Sequence, residues 1–205
     1  MKTYSYLALG DSYTIGEQVL PTDNFSHQAI TLLNEEGNKN YHFTTPEIIA
    51  TTGWTTDELS AAIDAENILK QYDIVSLLIG VNNQYRGRSV ENFEIEFEQL
   101  LQRAILFSGN QPNHVFVLSI PDWGVTPFAD GKDSSKIAKE IDAYNNVCQA
   151  VTKKYAARYI DITTVQRIDG NKNDFLAMDN LHPSGKEYAK WAAQLAAAIK
   201  TVFNL

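Results

Sequence analysis

Ser12, Asp179 and His182 are residue types that together turn a hydroxyl into a nucleophile for a carbonyl carbon. A serine hydroxyl attacks poorly at neutral pH. It needs an imidazole to take its proton and a carboxylate to fix the imidazole tautomer and stabilise the cation that forms. Asp179 and His182 are close enough in sequence for one turn to bring their side chains together, and Pro183 stiffens the backbone that follows. Ser12 lies near the other end of the chain and must be delivered to them by the fold. Acyl transfer also creates a negative oxygen that preorganised donors have to meet. The Ser12 backbone N–H, the close backbone approach allowed at Gly53 and the side-chain amide of Asn82 are the candidate oxyanion-hole donors. This chemistry calls for no metal and no organic cofactor.

Short apolar runs alternate with longer amphipathic stretches, which predicts βαβ units around a parallel sheet and an α/β fold. Five strands are expected, at 4–9, 48–51, 74–79, 115–120 and 159–162, with helices near 24–35, 55–70, 89–107, 134–156 and 184–203. The third and fourth runs are almost wholly apolar, as strands covered on both faces must be. Ligands of such sheets bind beyond the carboxyl ends of the strands. Gly10-Asp11-Ser12 follows the first run, Gly53-Trp54 the second, Asn82-Asn83 the third and Asp122-Trp123 the fourth, with Asp179 to His182 further on after the fifth. All the reactive types therefore fall on one edge. Ser184 and Glu187 have the spacing of a capping box for the last helix. The longest irregular segment is expected from about 163 to 181. Within it Asp169 to Asp174 is read as a polar turn, because Asp174 stands where a calcium loop needs glycine.

At 205 residues, 44% hydrophobic and 20% charged, the chain is expected to form a single domain over 1–205. Its net charge of -8 repels phosphate backbones, so nucleic acid is not an expected partner. Arg86 and Arg88 are read as solvated turn residues. Cys148 is the sole cysteine, read as a buried thiol, so no intrachain disulfide can form. No apolar run is long enough to span a bilayer, and the apolar start is too short for a secretory signal, so a cytoplasmic location is expected. His27, His42 and His114 have no carboxylate at useful spacing and are read as surface or strand-edge residues. Asp11 is either a turn or cap residue or a holder of the site's geometry. Trp54, Tyr85 and Trp123 are packing residues first, with a second reading as walls of an acyl or alcohol pocket whose depth is set by loops near Leu20, Tyr85 and Phe128.

Four blocks carrying serine, glycine, asparagine and histidine in this order make the chain resemble the SGNH, or GDSL-type, hydrolase family. The resemblance covers essentially the whole length. It implies a three-layer α/β/α, flavodoxin-like sandwich around the five-stranded parallel sheet. It also implies Ser12 as nucleophile, Asp179 and His182 as its partners, and Ser12, Gly53 and Asn82 as the oxyanion hole. Two positions depart from the family pattern: Tyr13 stands where many members have leucine, and Asn83 where many have aspartate. The implied activity is hydrolysis of a small-molecule carboxylic ester, such as an acyl ester, a lysophospholipid or an acetylated sugar, through an acyl-serine. A carbohydrate O-deacetylase or an acyltransferase would use the same triad. A non-catalytic binding module is the alternative from another class.

Overall fold

The computed structural model describes residues 1–35 and 40–205. Seven strands are present among them: β1 Lys2–Tyr4, β2 Tyr6–Gly10, β3 Tyr41–Phe43, β4 Glu47–Ala50, β5 Ile74–Leu78, β6 Val115–Leu118 and β7 Arg158–Ile160. Five make one parallel sheet in the order β4-β2-β5-β6-β7, and β1 pairs with β3 in a separate parallel ribbon. The helices are α1 Ser12–Ile15, α2 Phe25–Glu35, α3 Thr56–Glu66, α4 Val81–Tyr85, α5 Val90–Phe107, α6 Ser134–Lys154, α7 Thr163–Asp169 and α8 Gly185–Phe203.

The helices pack in two groups, α2 on α8 and α5 against both α3 and α6, with the sheet between them. Every residue of β2, β5 and β6 is accordingly buried, which is the reason their sequences run apolar without alternation. This is the expected α/β/α sandwich. Strand order reverses around β2: the chain goes from it to β4 on one side and then to β5 on the other. The carboxyl ends of these three strands open a crevice at the switch point, and Ser12, Gly53 and Asn82 follow them.

The structure corrects several expectations. The run at 4–9 is two strands: the Ser5 backbone N–H and hydroxyl both donate to Asp73 Oδ2, at 2.8 and 2.9 Å, and break the strand there. Tyr4 thereby joins the unforeseen ribbon with β3, where its ring stacks on Phe43 at 4.9 Å. The helix expected over 55–70 stops at Glu66, because Asn67 takes up a left-handed conformation (φ 46°) that asparagine tolerates as a helix terminus.

The segment from 163 is not irregular throughout; it begins with α7. Asp161 starts that helix by accepting from the Thr164 N–H and hydroxyl, at 3.0 and 2.6 Å. The Ser184–Glu187 capping box does not form. Ser184 Oγ donates instead to the Asp174 carbonyl at 2.7 Å, and Glu187 accepts from Trp191 Nε1 at 3.0 Å. A box does form at Thr55, whose N–H donates to Glu58 Oε2 at 2.8 Å.

Cys148 is buried as expected, and burial pushes its thiol up. His42 is exposed on β3, and His114 lies half-buried against the Phe203 ring at 4.6 Å. His27 is on α2, half-buried, with Nδ1 3.0 Å from Asn24 Oδ1. Among the described residues no helix is long and apolar enough to cross a membrane.

Candidate active site

Ser12 is the first residue of α1, which starts as soon as β2 ends. Asp11 caps this short helix, its Oδ1 accepting from the Tyr13 N–H at 3.0 Å, so the serine is fixed at a helix start with only 4% of its surface exposed. The Ser12 hydroxyl lies 2.9 Å from His182 Nε2, and His182 Nδ1 lies 2.6 Å from Asp179 Oδ2. The carboxylate assigns the proton to Nδ1 and leaves the Nε2 lone pair for the serine. The other oxygen of Asp179 accepts from the backbone N–H groups of Leu181 and His182, both at 3.0 Å. Burial alone would raise the Asp179 pKa; these bonds, the imidazole's foremost, outweigh it and hold the carboxyl below its usual range.

The loop is closed from outside as well. The Ala177 N–H donates to the His182 carbonyl at 2.8 Å, and Leu176 bridges Pro183. Tyr13, the first departure from the family pattern, packs its ring 5.2 Å from the His182 imidazole and 6.2 Å from Trp191 of α8. A flat side chain there backs the imidazole against the last helix.

On the far side of the crevice Gly53 sits in the turn after β4 with φ +86°, a conformation costly for any residue with a Cβ. Asn82 is the second residue of α4. Its Nδ2 donates to the Trp54 carbonyl at 2.9 Å, which fixes the side chain while one amide hydrogen remains for a ligand. Gly80 allows β5 to turn straight into α4: a Cβ there would come within 2.7 Å of the Ile120 and Phe93 side chains.

The second departure, Asn83, faces away from the cleft. It accepts from the Thr56 N–H at 3.1 Å and donates to Thr56 Oγ1 at 2.6 Å, tying α4 to the start of α3. The Thr56 hydroxyl donates to Glu96, so toward Asn83 it can only accept, and the amide supplies a donor that an ionised aspartate lacks.

Ser12, His182, Gly53 and Asn82 all line one cleft of about 180 Å³, completed mainly by the apolar groups of Val81, Tyr85, Trp123, Phe128 and Leu181. The rings of Tyr85 and Trp123 are 5.3 Å apart, and Trp123 is aimed by its Nε1 donating to Gln84 at 2.7 Å. Trp54 does not line the cleft. It packs half-buried on the core and contributes its carbonyl to Asn82. Leu20 is exposed and lies outside the lining.

Arg86 and Arg88 are not free turn residues. Arg88 pairs with Asp57 at 2.6 Å, while Arg86 pairs with Glu58 and donates to the Gly53 carbonyl at 2.6 Å. Sequence reasoning missed Val81, Leu181 and the contact of Arg86. The one available signal for Arg86 was its position a helical turn beyond Asn82.

Asp11 is wholly buried and its Oδ2 has no hydrogen-bond partner. Burial pushes its pKa up to about 7, against the lowering effect of the Tyr13 N–H. Of its two readings, the structure shows the cap. Among the described residues no group of three or more His, Cys, Asp or Glu side chains is placed to hold a metal ion.

The fold recurs in solved structures of low sequence identity. TesA superposes with a TM-score of 0.74 at 17% identity, covering 98% of this chain and 99% of that one. A lipase/acylhydrolase from Enterococcus faecalis gives 0.73 at 21%, covering 98% and 96%. The acetyl xylan esterase AlAXEase gives 0.71 at 17%, covering 95% and 99%. No curated protein matches the sequence significantly. The profile of the GDSL-like Lipase/Acylhydrolase family matches residues 8–190, a span that runs from β2 into α8 and holds every residue of the cleft. The chain belongs to the GDSL-like lipase/acylhydrolase family, whose members are hydrolases of the esterase type.

Proposed function

We propose that residues 1–205 form one catalytic domain that hydrolyses small carboxylic esters through an acyl-Ser12 intermediate. The observation that carries this reading is the continuous relay from the Ser12 hydroxyl to His182 at 2.9 Å and on to Asp179 at 2.6 Å. His182 takes the serine proton as the hydroxyl attacks the ester carbonyl, and the imidazolium is stabilised by Asp179. The oxyanion is met by the backbone N–H groups of Ser12 and Gly53 and the free amide hydrogen of Asn82. His182 then returns the proton to the leaving alcohol, and in the second half it draws a proton from water for deacylation. No step requires a metal or an organic cofactor.

A cleft of about 180 Å³ is small beside ordinary ligand pockets. It favours short acyl groups over the long chain of a lysophospholipid. The exposed faces of Tyr85 (51%) and Phe128 (40%) at its edge offer flat apolar surfaces. Those surfaces favour, as a second reading with the same chemistry, an acetylated sugar whose C–H face stacks on them.

Turnover of p-nitrophenyl esters of increasing chain length, measured beside acetylated sugars, tests both readings. Wild type is expected to prefer acetyl over octanoyl esters, and Ser12→Ala to lose about 10⁵-fold or more. Equal turnover by wild type and Ser12→Ala ends the proposal.

A further inference from the structure

Arg86 has no part in the relay, yet it reaches into the oxyanion loop. It follows the last residue of α4, and its own backbone N–H donates to the Asn82 carbonyl at 3.0 Å, so the two side chains leave the same helical face one turn apart. Each grips a successive carbonyl of the loop after β4. Asn82 Nδ2 holds that of Trp54 at 2.9 Å, and Arg86 Nη2 holds that of Gly53 at 2.6 Å.

The guanidinium is itself aimed. Nη1 donates to both oxygens of Glu58, at 3.2 and 3.3 Å, and Glu58 Oε2 accepts from the Thr55 N–H. One planar fork thus spans the loop from Gly53 to the start of α3. Glycine is the residue whose backbone rotates most freely. Gly53 lines the cleft at φ +86°, and an outside tether limits the rotation its missing Cβ would otherwise allow.

We propose that Arg86 is a positioning residue of the oxyanion hole: by holding the Gly53 carbonyl, while the Trp54 N–H of the same peptide donates to the Thr51 carbonyl at 3.3 Å, it fixes the turn that sets the direction of the Gly53 N–H beside the Asn82 amide. The proposal rests on the serine-hydrolase reading above. Arg86 touches neither substrate nor nucleophile, and its effect passes through Gly53 into the step in which charge develops on the carbonyl oxygen. It therefore acts on kcat, whereas ground-state binding, dominated by the apolar lining, stays as it is. Arg88 provides the internal comparison. It carries the same charge two positions on, pairs with Asp57 and Glu96, and makes no bond to the Gly53 carbonyl.

The experiment measures kcat, KM and melting temperature for short-chain ester hydrolysis by Arg86→Ala, Arg86→Lys, Arg88→Ala, Asn82→Ala and Ser12→Ala. Removing a donor outright typically costs about 10²–10³ in turnover; misaligning one is expected to cost about 10–100-fold, with KM within about 3-fold. Arg86→Lys, with a single ammonium to divide between Gly53 and Glu58, falls in between. Added guanidinium ion restores part of the turnover of Arg86→Ala and none of that of Asn82→Ala.

Arg86→Met, which keeps the apolar stem without the donors, gives the same reading if the alanine variant melts early. The inference is overturned if Ser12→Ala is inactive but Arg86→Ala and Arg86→Met match Arg88→Ala in kcat. It is equally overturned if their loss lies in KM alone, or if guanidinium restores nothing. An active Ser12→Ala would instead bring down the underlying function.

Discussion

On one side of the cleft His182 is buried, and its ring and backbone are both tied to a carboxylate three residues earlier by bonds of 2.6 to 3.0 Å. On the other side Gly53 is held by a guanidinium whose side chain is 44% exposed and whose partner Glu58 is 41% exposed. Asp179 and His182, the proposed proton-transfer side, are near neighbours in sequence; Tyr13 backs the imidazole, and the Asp179 side chain is 29% exposed. The donor side is built from two loops that meet through the fold, and its outermost tether faces water. Bonds to a buried imidazole are screened less by salt than those between two exposed side chains, whose ion pairs are weak. Geometry on the first side should survive conditions that loosen the second.

The largest effect expected on this comparison comes from the His182 side. Asp179→Asn leaves the backbone bonds of that turn a similar acceptor but removes the charge that fixes the tautomer. Turnover should fall about 10⁴-fold with little change in KM, read by steady-state kinetics. A drop of less than tenfold would mean that the imidazole is oriented without the carboxylate.

Next comes the donor side. Asn82→Ala should cost about 10²–10³ in kcat, and a loss as large as that of Asp179→Asn would erase the distinction between the two sides.

Next to Ser12, Asp11 contributes a pH effect. Its folded pKa, about 7, lies above the ordinary carboxylate value near 3.8. Between these two values the native state therefore keeps a proton that the unfolded chain has released. Stability must fall as pH rises through that window, and the penalty is complete above it. Asp11→Asn keeps a cap for the Tyr13 N–H and removes the titration. In urea unfolding the variant should gain a few kcal/mol relative to wild type between pH 4 and pH 8. A constant difference across that range would show that Asp11 does not titrate there.

The smallest effect is that of salt. Raising ionic strength from about 0.05 to 1 M should lower kcat by no more than a few-fold in wild type, and the dependence should vanish in Arg86→Ala. Persistence of the dependence in that variant would place the salt-sensitive contact elsewhere.

How much of this was legible in the sequence follows the same division. The α/β class, the central strands and the pairing of Asp179 with His182 could be read because their signals are local or periodic. β5 and β6 are apolar runs, and Asp179 and His182 share one turn. A boundary and a cap failed where a group from another part of the chain decided them: the Asp73 side chain breaks the first run at Ser5, and the Asp174 backbone carbonyl takes the Ser184 hydroxyl away from the helix it was expected to cap. Asn82 was legible by type but the tether at Arg86 was not, because a guanidinium in a glycine-containing turn has no local pattern that names its partner 33 residues away. For Trp54 the first reading, packing, holds, and the second, as a wall of the pocket, does not. It neighbours the site in sequence, yet its indole turns into the core and only its carbonyl serves Asn82.

The central claim is that the hydroxyl of Ser12 is the activated nucleophile, and covalent trapping tests it most directly. A fluorophosphonate should add once per chain, abolish esterase activity in step with labelling, and map by peptide mass spectrometry to Ser12. Full activity after exposure to the probe, or an adduct on any other residue accompanying the loss, would contradict the account.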